Sequence, residues 1–173
     1  ADGMRDVIAG ETGIPKSNII FHCTHNHSGV STRVDVPGLG DYIASMTENI
    51  LAAAREAMAD RKPVTEVSTG FTRVEGCNFV RHYLMDDGSV AGDNFGDYKT
   101  KKILRSITEP DRNIQLLKLV RPGKKDILMV NWQAHPKLTS SSVAPGGKES
   151  TRMISADFIG YCRMYMESNA DCL

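Results

Sequence analysis

The apolar residues of this chain follow two different periods, and this alternation limits its fold more than any other feature of the sequence. Residues 41–58 carry apolar side chains at helical offsets, namely Ile43, Met46, Ile50, Leu51, Ala54 and Met58. This spacing predicts a helix that Asp41 caps and that ends before Pro63. Two β-rich runs, residues 113–120 and 126–132, are joined by Arg-Pro-Gly-Lys-Lys and predict a hairpin. Helices interspersed with strands indicate an α/β or α+β fold, with a mixed β-sheet flanked by helices.

Weaker patterns fill in the rest of the chain. They predict a helix at 4–11, a buried strand at 18–24, a long loop at 25–40, strands at 64–74 and 78–85, a polar surface segment at 92–112, a loop at 136–153, and a last helix capped by Ser155 or Asp157. Long loops inside compact domains are usually functional or mobile.

Composition excludes some classes of partner. The 173 residues contain 21 Lys plus Arg and 21 Asp plus Glu, so the formal net charge is zero. This balance argues against nucleic acid as a partner. No apolar run reaches the length of a transmembrane segment, and no targeting signal opens the sequence, so the compartment, cytoplasmic or secreted, stays open.

Histidines stand where predicted strands end. His25 and His27 follow the strand predicted at 18–24, and in an extended backbone their side chains point to the same face. His135 follows the strand that ends near Trp132. Imidazole is the commonest metal ligand in proteins, so the three histidines are candidates for a shared metal site. The alternative is a histidine-rich surface loop and a histidine in a turn before proline. His22 we assign to packing rather than to metal binding.

Arg81 is a further candidate. We predict that it lies on a strand among apolar residues, where a guanidinium can point into a cleft and stabilise an oxyanion. The alternative is an ordinary surface arginine on an edge strand. Asp157 is more typical of a helix cap than of a metal ligand.

Four segments together resemble the neutral/alkaline ceramidase family. Thr24-His25-Asn26-His27-Ser28-Gly29-Val30 is similar to the family's Thr-His-Thr-His-Ser-Gly-Pro. The other three similar segments are residues 78–81 with the Asp-Gly turn at 87–88 (family Asn-x-x-Arg), residues 131–136 (Asn-Trp-Phe-Ala-x-His-Pro) and residues 154–157 (Ile-Ser-Gly-Asp). The segments follow the family's order and span nearly the whole chain.

The resemblance implies a zinc-dependent amide hydrolase that cleaves the N-acyl bond of ceramide to give sphingosine and a fatty acid. Carried over by position, His25 and His135 would bind Zn²⁺, His27 would be the catalytic acid/base, and Arg81 would hold the developing oxyanion. The partner would be a lipid or a small N-acyl substrate.

The sequence also departs from the family. Val30 replaces the family's proline, and Lys137 stands where the family usually has a small hydroxyl residue. The family's catalytic domain is several hundred residues long, and its other two zinc ligands, a glutamate and a tyrosine, lie downstream of the Asn-Trp segment. We therefore expect residues 1–173 to be part of one metal-dependent hydrolase domain that lacks its N- and C-terminal parts. Alone, this part should bind metal weakly and hydrolyse little.

Two other functions stay open. The same metal site could serve another N-acyl substrate, or the chain could be a non-catalytic binding or structural domain. An HNH endonuclease is excluded, because that motif spreads its residues over a larger unit and the neutral charge does not suit DNA. The sequence does not indicate the acyl chain or the oligomeric state.

Overall fold

The protein is described here from a computed structural model, which describes residues 2–30, 32, 37–139 and 154–173. In these ranges the elements are α1 (Asp2–Thr12), a 3₁₀ turn (Lys16–Asn18), α2 (Leu39–Ala59), β1 (Glu66–Arg73), β2 (His82–Met85), β3 (Val90–Gly92), β4 (Ile103–Ser106), β5 (Asn113–Val120), β6 (Ile127–Trp132) and α3 (Asp157–Asn169). The predicted class, with helices interspersed among strands, is confirmed in its α+β form. Residues 31 and 33–36 of the predicted loop at 25–40, and residues 140–153 of the predicted loop at 136–153, lie outside the described residues.

The chain forms two compact units. Unit 1 comprises Ala1–Glu66, Val120–Asp126 and Pro136–Leu173, and it contains the three α-helices of the described ranges. Unit 2 comprises Val67–Leu119 and Ile127–His135, and it contains nearly all of the strand residues.

In unit 1, α1 packs against α2. Ile8 on α1 is buried, and Arg55 on α2 donates to Glu11 on α1 at 2.6 Å. The end of α2 is fixed by Arg121, whose side chain is only 6% exposed. Its guanidinium donates to the Asp60 carboxylate at 2.9 Å and to the Lys125 carbonyl at 2.5 Å, so a buried cation has its donors paired.

Unit 2 contains two three-stranded sheets. One has the order β1-β5-β6, and in it β5 and β6 are antiparallel with Ile114 opposite Trp132 and Leu119 opposite Ile127. The other has the order β3-β2-β4, with β2 antiparallel to both neighbours. Met85 and Ala91 are fully buried in this second sheet.

The strongest periodic signals are confirmed. Helices form at 2–12 and 39–59, a strand forms at 66–73, and β5 and β6 make the predicted hairpin. Asp41 does not cap α2, because the helix already begins at Leu39 after Gly38. Asp41 lies in the first turn, where the helix dipole stabilises its negative charge. The residue at the cap position of α3 is Ala156 and not Ser155 or Asp157, but the Ser155 hydroxyl and the Asp157 Oδ1 accept the N–H groups of Asp157 and Phe158 at the start of this helix.

Two strand predictions and the predicted surface segment differ from the structure. Residues 19–24 form no strand, and Ile20 is 88% exposed, so the buried strand is wrong. β2 begins at His82, so the stretch predicted to start at 78 is shorter than expected. The segment 92–112, for which a polar surface segment is predicted, contains β4. The charged residues of this segment obscure the β pattern in the sequence.

Candidate metal centre

A tight turn brings His25 and His27 together. His25 has a left-handed backbone with φ of 58°, and the Asn26 Oδ1 accepts the Ser28 N–H at 3.2 Å. An asparagine that binds the N–H two residues on mimics a backbone turn, which explains why Asn stands between the two histidines. A Cβ at Gly29 would lie 3.1 Å from the Asn26 Oδ1, so the turn leaves little room for a side chain there.

The two imidazoles meet edge to face. Their Nε2 atoms are 3.2 Å apart, and their ring centroids are 5.0 Å apart. The sequence prediction that His25 and His27 converge is therefore confirmed, but its reasoning is wrong. An extended backbone was expected to align the side chains, and a turn with a left-handed His25 does so instead.

His135 reaches the same place through Pro136. The His27 N–H donates to the Pro136 carbonyl at 3.2 Å, a bond that lies within unit 1. One peptide bond links Pro136 to His135. One potential ligand atom from each of His25, His27 and His135 lies within 4.8 Å of the other two, and all three residues are exposed. The chain therefore has a surface triad of imidazoles that could bind a metal ion.

The donor set fits a borderline transition metal. Two nitrogens bound to one tetrahedral Zn²⁺ at about 2.05 Å are separated by about 3.3 Å, close to the observed distance between the Nε2 atoms of His25 and His27. At this separation one Nε2–H can donate to the other Nε2, and a cation bound by both nitrogens can take the place of that proton. Three histidines are also one of the ligand sets that catalytic zinc sites use.

Within unit 2, Arg81 contacts His135 directly. Its Nη2 donates to the His135 Nδ1 at 3.1 Å, and its Nη1 forms a short ion pair with the Asp93 carboxylate. A guanidinium can only donate, so the His135 Nδ1 accepts here and its Nε2 carries the ring proton. For His135 to bind a cation, this hydrogen bond must open or the proton must move.

The setting of Arg81 differs from the prediction. Arg81 precedes β2 instead of lying on a strand, and it is partly buried beside Asp93. Asn78, the first residue of the same segment, donates its amide to the carbonyls of Asp111 and Gln133 at 2.7 and 2.8 Å. Asn78 thus holds the chain two residues before His135. The partners Asp93 and Gln133 gave no signal in the sequence, because they are distant along the chain.

His22 does not join the triad. It is exposed, so its assignment to packing in a core is wrong. The sequence analysis also assigned no role at the site to Ser28, Thr139 and Asp157, which form a hydrogen-bonded chain at the histidine turn. Burial alone would raise the pKa of the Asp157 carboxyl, but N–H donors from Phe158 and Thr139 outweigh it, and the pKa lies below its ordinary value of 3.8. This buried carboxylate is therefore ionised at neutral pH.

Comparisons of this chain with protein-family models, with curated proteins and with solved structures find no match. None of the helices in the described ranges combines the length and apolar character that crossing a bilayer requires.

Proposed function

We propose that this chain carries a zinc centre on His25, His27 and His135 and that the protein is a metal-dependent amide hydrolase resembling neutral ceramidase. The observation that carries the proposal is the convergence of one ligand atom from each histidine within 4.8 Å. The sequence resemblance selects the same three histidines in the same order, with His25 and His135 as zinc ligands and His27 as the catalytic acid/base.

Zinc is the preferred ion for chemical reasons. Neutral imidazoles suit Zn²⁺, whereas Ca²⁺ and Mg²⁺ require oxygen ligands. A bound Zn²⁺ supplies Lewis acidity and makes water acidic enough to act at neutral pH.

Arg81 is the residue that we assign to the oxyanion. Its guanidinium lies at His135, and Asp93 holds its other arm. Because arginine keeps its proton, it can donate to a carbonyl oxygen as negative charge develops. Release of the His135 Nδ1 when His135 binds a cation would free the Nη2 donor for that task.

We assign His27 to the zinc as its third histidine ligand. The resemblance implies that His27 moves a proton to the leaving amine, but its Nε2 lies 3.2 Å from the His25 Nε2, a separation at which both nitrogens can bind one ion. If His27 is a ligand, His27→Ala lowers zinc affinity and activity together. If it is only the acid/base, His27→Ala retains zinc and loses turnover.

The proposed substrate is an N-acyl amide, and ceramide is the member of that class that the resemblance indicates. We would incubate the protein that contains this chain with a short-chain ceramide and with a soluble N-acyl amino acid, and measure the amine released. We expect zinc-dependent release that is lost in His135→Ala and reduced at least tenfold in Arg81→Ala with zinc retained.

Arg105→Ala is the matched control. Arg105 lies on β4 of the same unit and is exposed, and among the described residues its side chain donates only to the Ser106 carbonyl, so amine release should be unchanged. Release that needs no zinc, or that survives in His135→Ala, would refute the proposal. Release of amine from the soluble substrate but not from the short-chain ceramide would support an amide hydrolase and exclude ceramide as its substrate.

A further inference from the structure

A buried carboxylate stands behind the histidine turn. Asp157 is 1% exposed and opens α3 with a left-handed backbone, at φ of 56°. Its Oδ2 accepts both the N–H and the hydroxyl of Thr139 at 3.0 Å, and its Oδ1 accepts the Phe158 N–H at 2.7 Å. An ionised carboxylate only accepts, so these three donors satisfy it in a region from which water is excluded.

Thr139 connects the Asp157 carboxylate to Ser28 through hydrogen bonds. The Thr139 hydroxyl has one proton and donates it to Asp157, so its oxygen must accept from the Ser28 hydroxyl, 2.6 Å away. The direction of the whole chain is therefore fixed, from Ser28 to Thr139 to Asp157. Each hydrogen bond in such a chain polarises the next.

Hydrogen bonds fix both the backbone and the side chain of Ser28. It is 8% exposed, its N–H donates to the Asn26 side chain, and its carbonyl accepts the Ser155 N–H at 3.1 Å. His27 is its chain neighbour and donates its own N–H to Pro136. The turn that carries both imidazoles is thus tied to the segment 136–139 by two separate connections, and all of these residues belong to unit 1.

We propose that Asp157 is a positioning residue of the metal centre and acts through Thr139 and Ser28. The left-handed backbone of His25 costs energy, and a non-glycine residue keeps such a conformation only where its surroundings impose it. The Asp157 network imposes it from outside the ligand set. This inference rests on the metal centre of the proposed function and not on the substrate.

The test uses Co²⁺ as the probe, because Co²⁺ bound to imidazoles has a visible absorption spectrum that reports ligand geometry. Thr139→Val removes the hydroxyl and keeps the shape, and we expect a 10- to 100-fold loss of Co²⁺ affinity with an altered spectrum. Thr139→Ser restores the hydroxyl and should return both affinity and spectrum to within about threefold of the unsubstituted chain.

Thr12→Val is the matched control. The Thr12 hydroxyl is part-buried in unit 1, donates to the Ile8 carbonyl at 2.7 Å and accepts the Ile14 N–H at 3.3 Å. The substitution therefore removes two hydrogen bonds in the same unit, outside the network. Co²⁺ affinity should stay within about twofold, so a loss in Thr139→Val could not be ascribed to general weakening of unit 1.

Each result of the Co²⁺ binding experiments either supports or overturns the positioning role of Asp157. Unchanged Co²⁺ affinity and spectrum in Thr139→Val would overturn the positioning role and leave the metal centre standing. If Thr139→Val does not fold, Ser28→Ala decides in its place, because it breaks the same chain at its outer end; about tenfold weaker Co²⁺ binding supports the role, and unchanged binding overturns it. Absence of Co²⁺ binding in the unsubstituted chain would overturn both the metal centre and this inference.

Discussion

Replacement of Asp157 by Asn tests how strongly the buried carboxylate stabilises unit 1. The carboxylate accepts three hydrogen bonds on its two oxygens, and an amide has only one oxygen. Whichever way Asn turns, its NH₂ group faces at least one donor. A hydrogen bond to a charged group contributes about 1.5–3 kcal/mol, and a donor left buried adds a desolvation cost, so we expect Asp157→Asn to lower the free energy of unfolding by about 2–4 kcal/mol.

The effect should depend on pH. The pKa of Asp157 is lower in the folded chain than its ordinary value of 3.8. Its stabilisation is therefore fully present above pH 3.8 and is lost as the pH falls through the folded pKa. The difference between the unsubstituted chain and Asp157→Asn should be constant from pH 5 to pH 8 and should shrink in stronger acid.

Urea unfolding followed by two probes separates the units. The α-helices of the residues that the structure describes all belong to unit 1, so ellipticity at 222 nm reports mainly that unit, whereas Trp132, the single tryptophan, belongs to unit 2. Asp171→Asn is the control, because Asp171 is also left-handed but exposed, and it should change stability by less than about 0.5 kcal/mol. A loss below about 1 kcal/mol in Asp157→Asn, or an equal loss in Asp171→Asn, would refute the reasoning.

Two further substitutions test the fold. Arg121→Ala removes a cation that is 6% exposed and should destabilise unit 1 by about 3 kcal/mol by ellipticity, while Lys124→Ala, at a 41% exposed side chain, should cost less than about 1 kcal/mol. Equal effects would contradict the burial argument. Gly96→Ala should destabilise unit 2 by about 2 kcal/mol or more by tryptophan fluorescence, because φ is +67° and a Cβ would lie 2.8 Å from the Ala91 Cβ. Gly88→Ala, with φ of +81° and no atom within 4 Å, should cost only about 1 kcal/mol, and a cost as large as that of Gly96→Ala would refute the steric part.

The sequence predicts a helix or strand correctly where its periodic pattern is long enough to fit only one type of secondary structure. The helix at 39–59 repeats apolar residues over five turns, and the β5–β6 hairpin combines two β-rich runs with a Pro-Gly turn. The run at 18–24 is too short for such a decision, because an apolar triplet fits a strand, a buried helix or a loop equally well. In the structure a 3₁₀ turn precedes it and a left-handed His25 ends it.

At the candidate site, too, the sequence predicts some of the residues and not others. His25, His27 and His135 could be selected because histidines at strand ends and a shared motif order are visible in the sequence. The residues that hold them could not be selected. Thr139 and Asp157 act on Ser28 from more than 100 residues away along the chain, and Asp93 reaches Arg81 through the fold of the β2–β3 turn. Hydrogen bonds of this kind depend on tertiary structure and leave no local pattern.

The most direct test of the metal centre is X-ray absorption at the zinc edge of the zinc-loaded chain. We expect one Zn²⁺ per chain, with scattering from three imidazoles at about 2.0–2.1 Å in the unsubstituted chain and from two in His135→Ala. A spectrum without imidazole scattering, or one that His135→Ala leaves unchanged, would contradict the three-histidine metal centre.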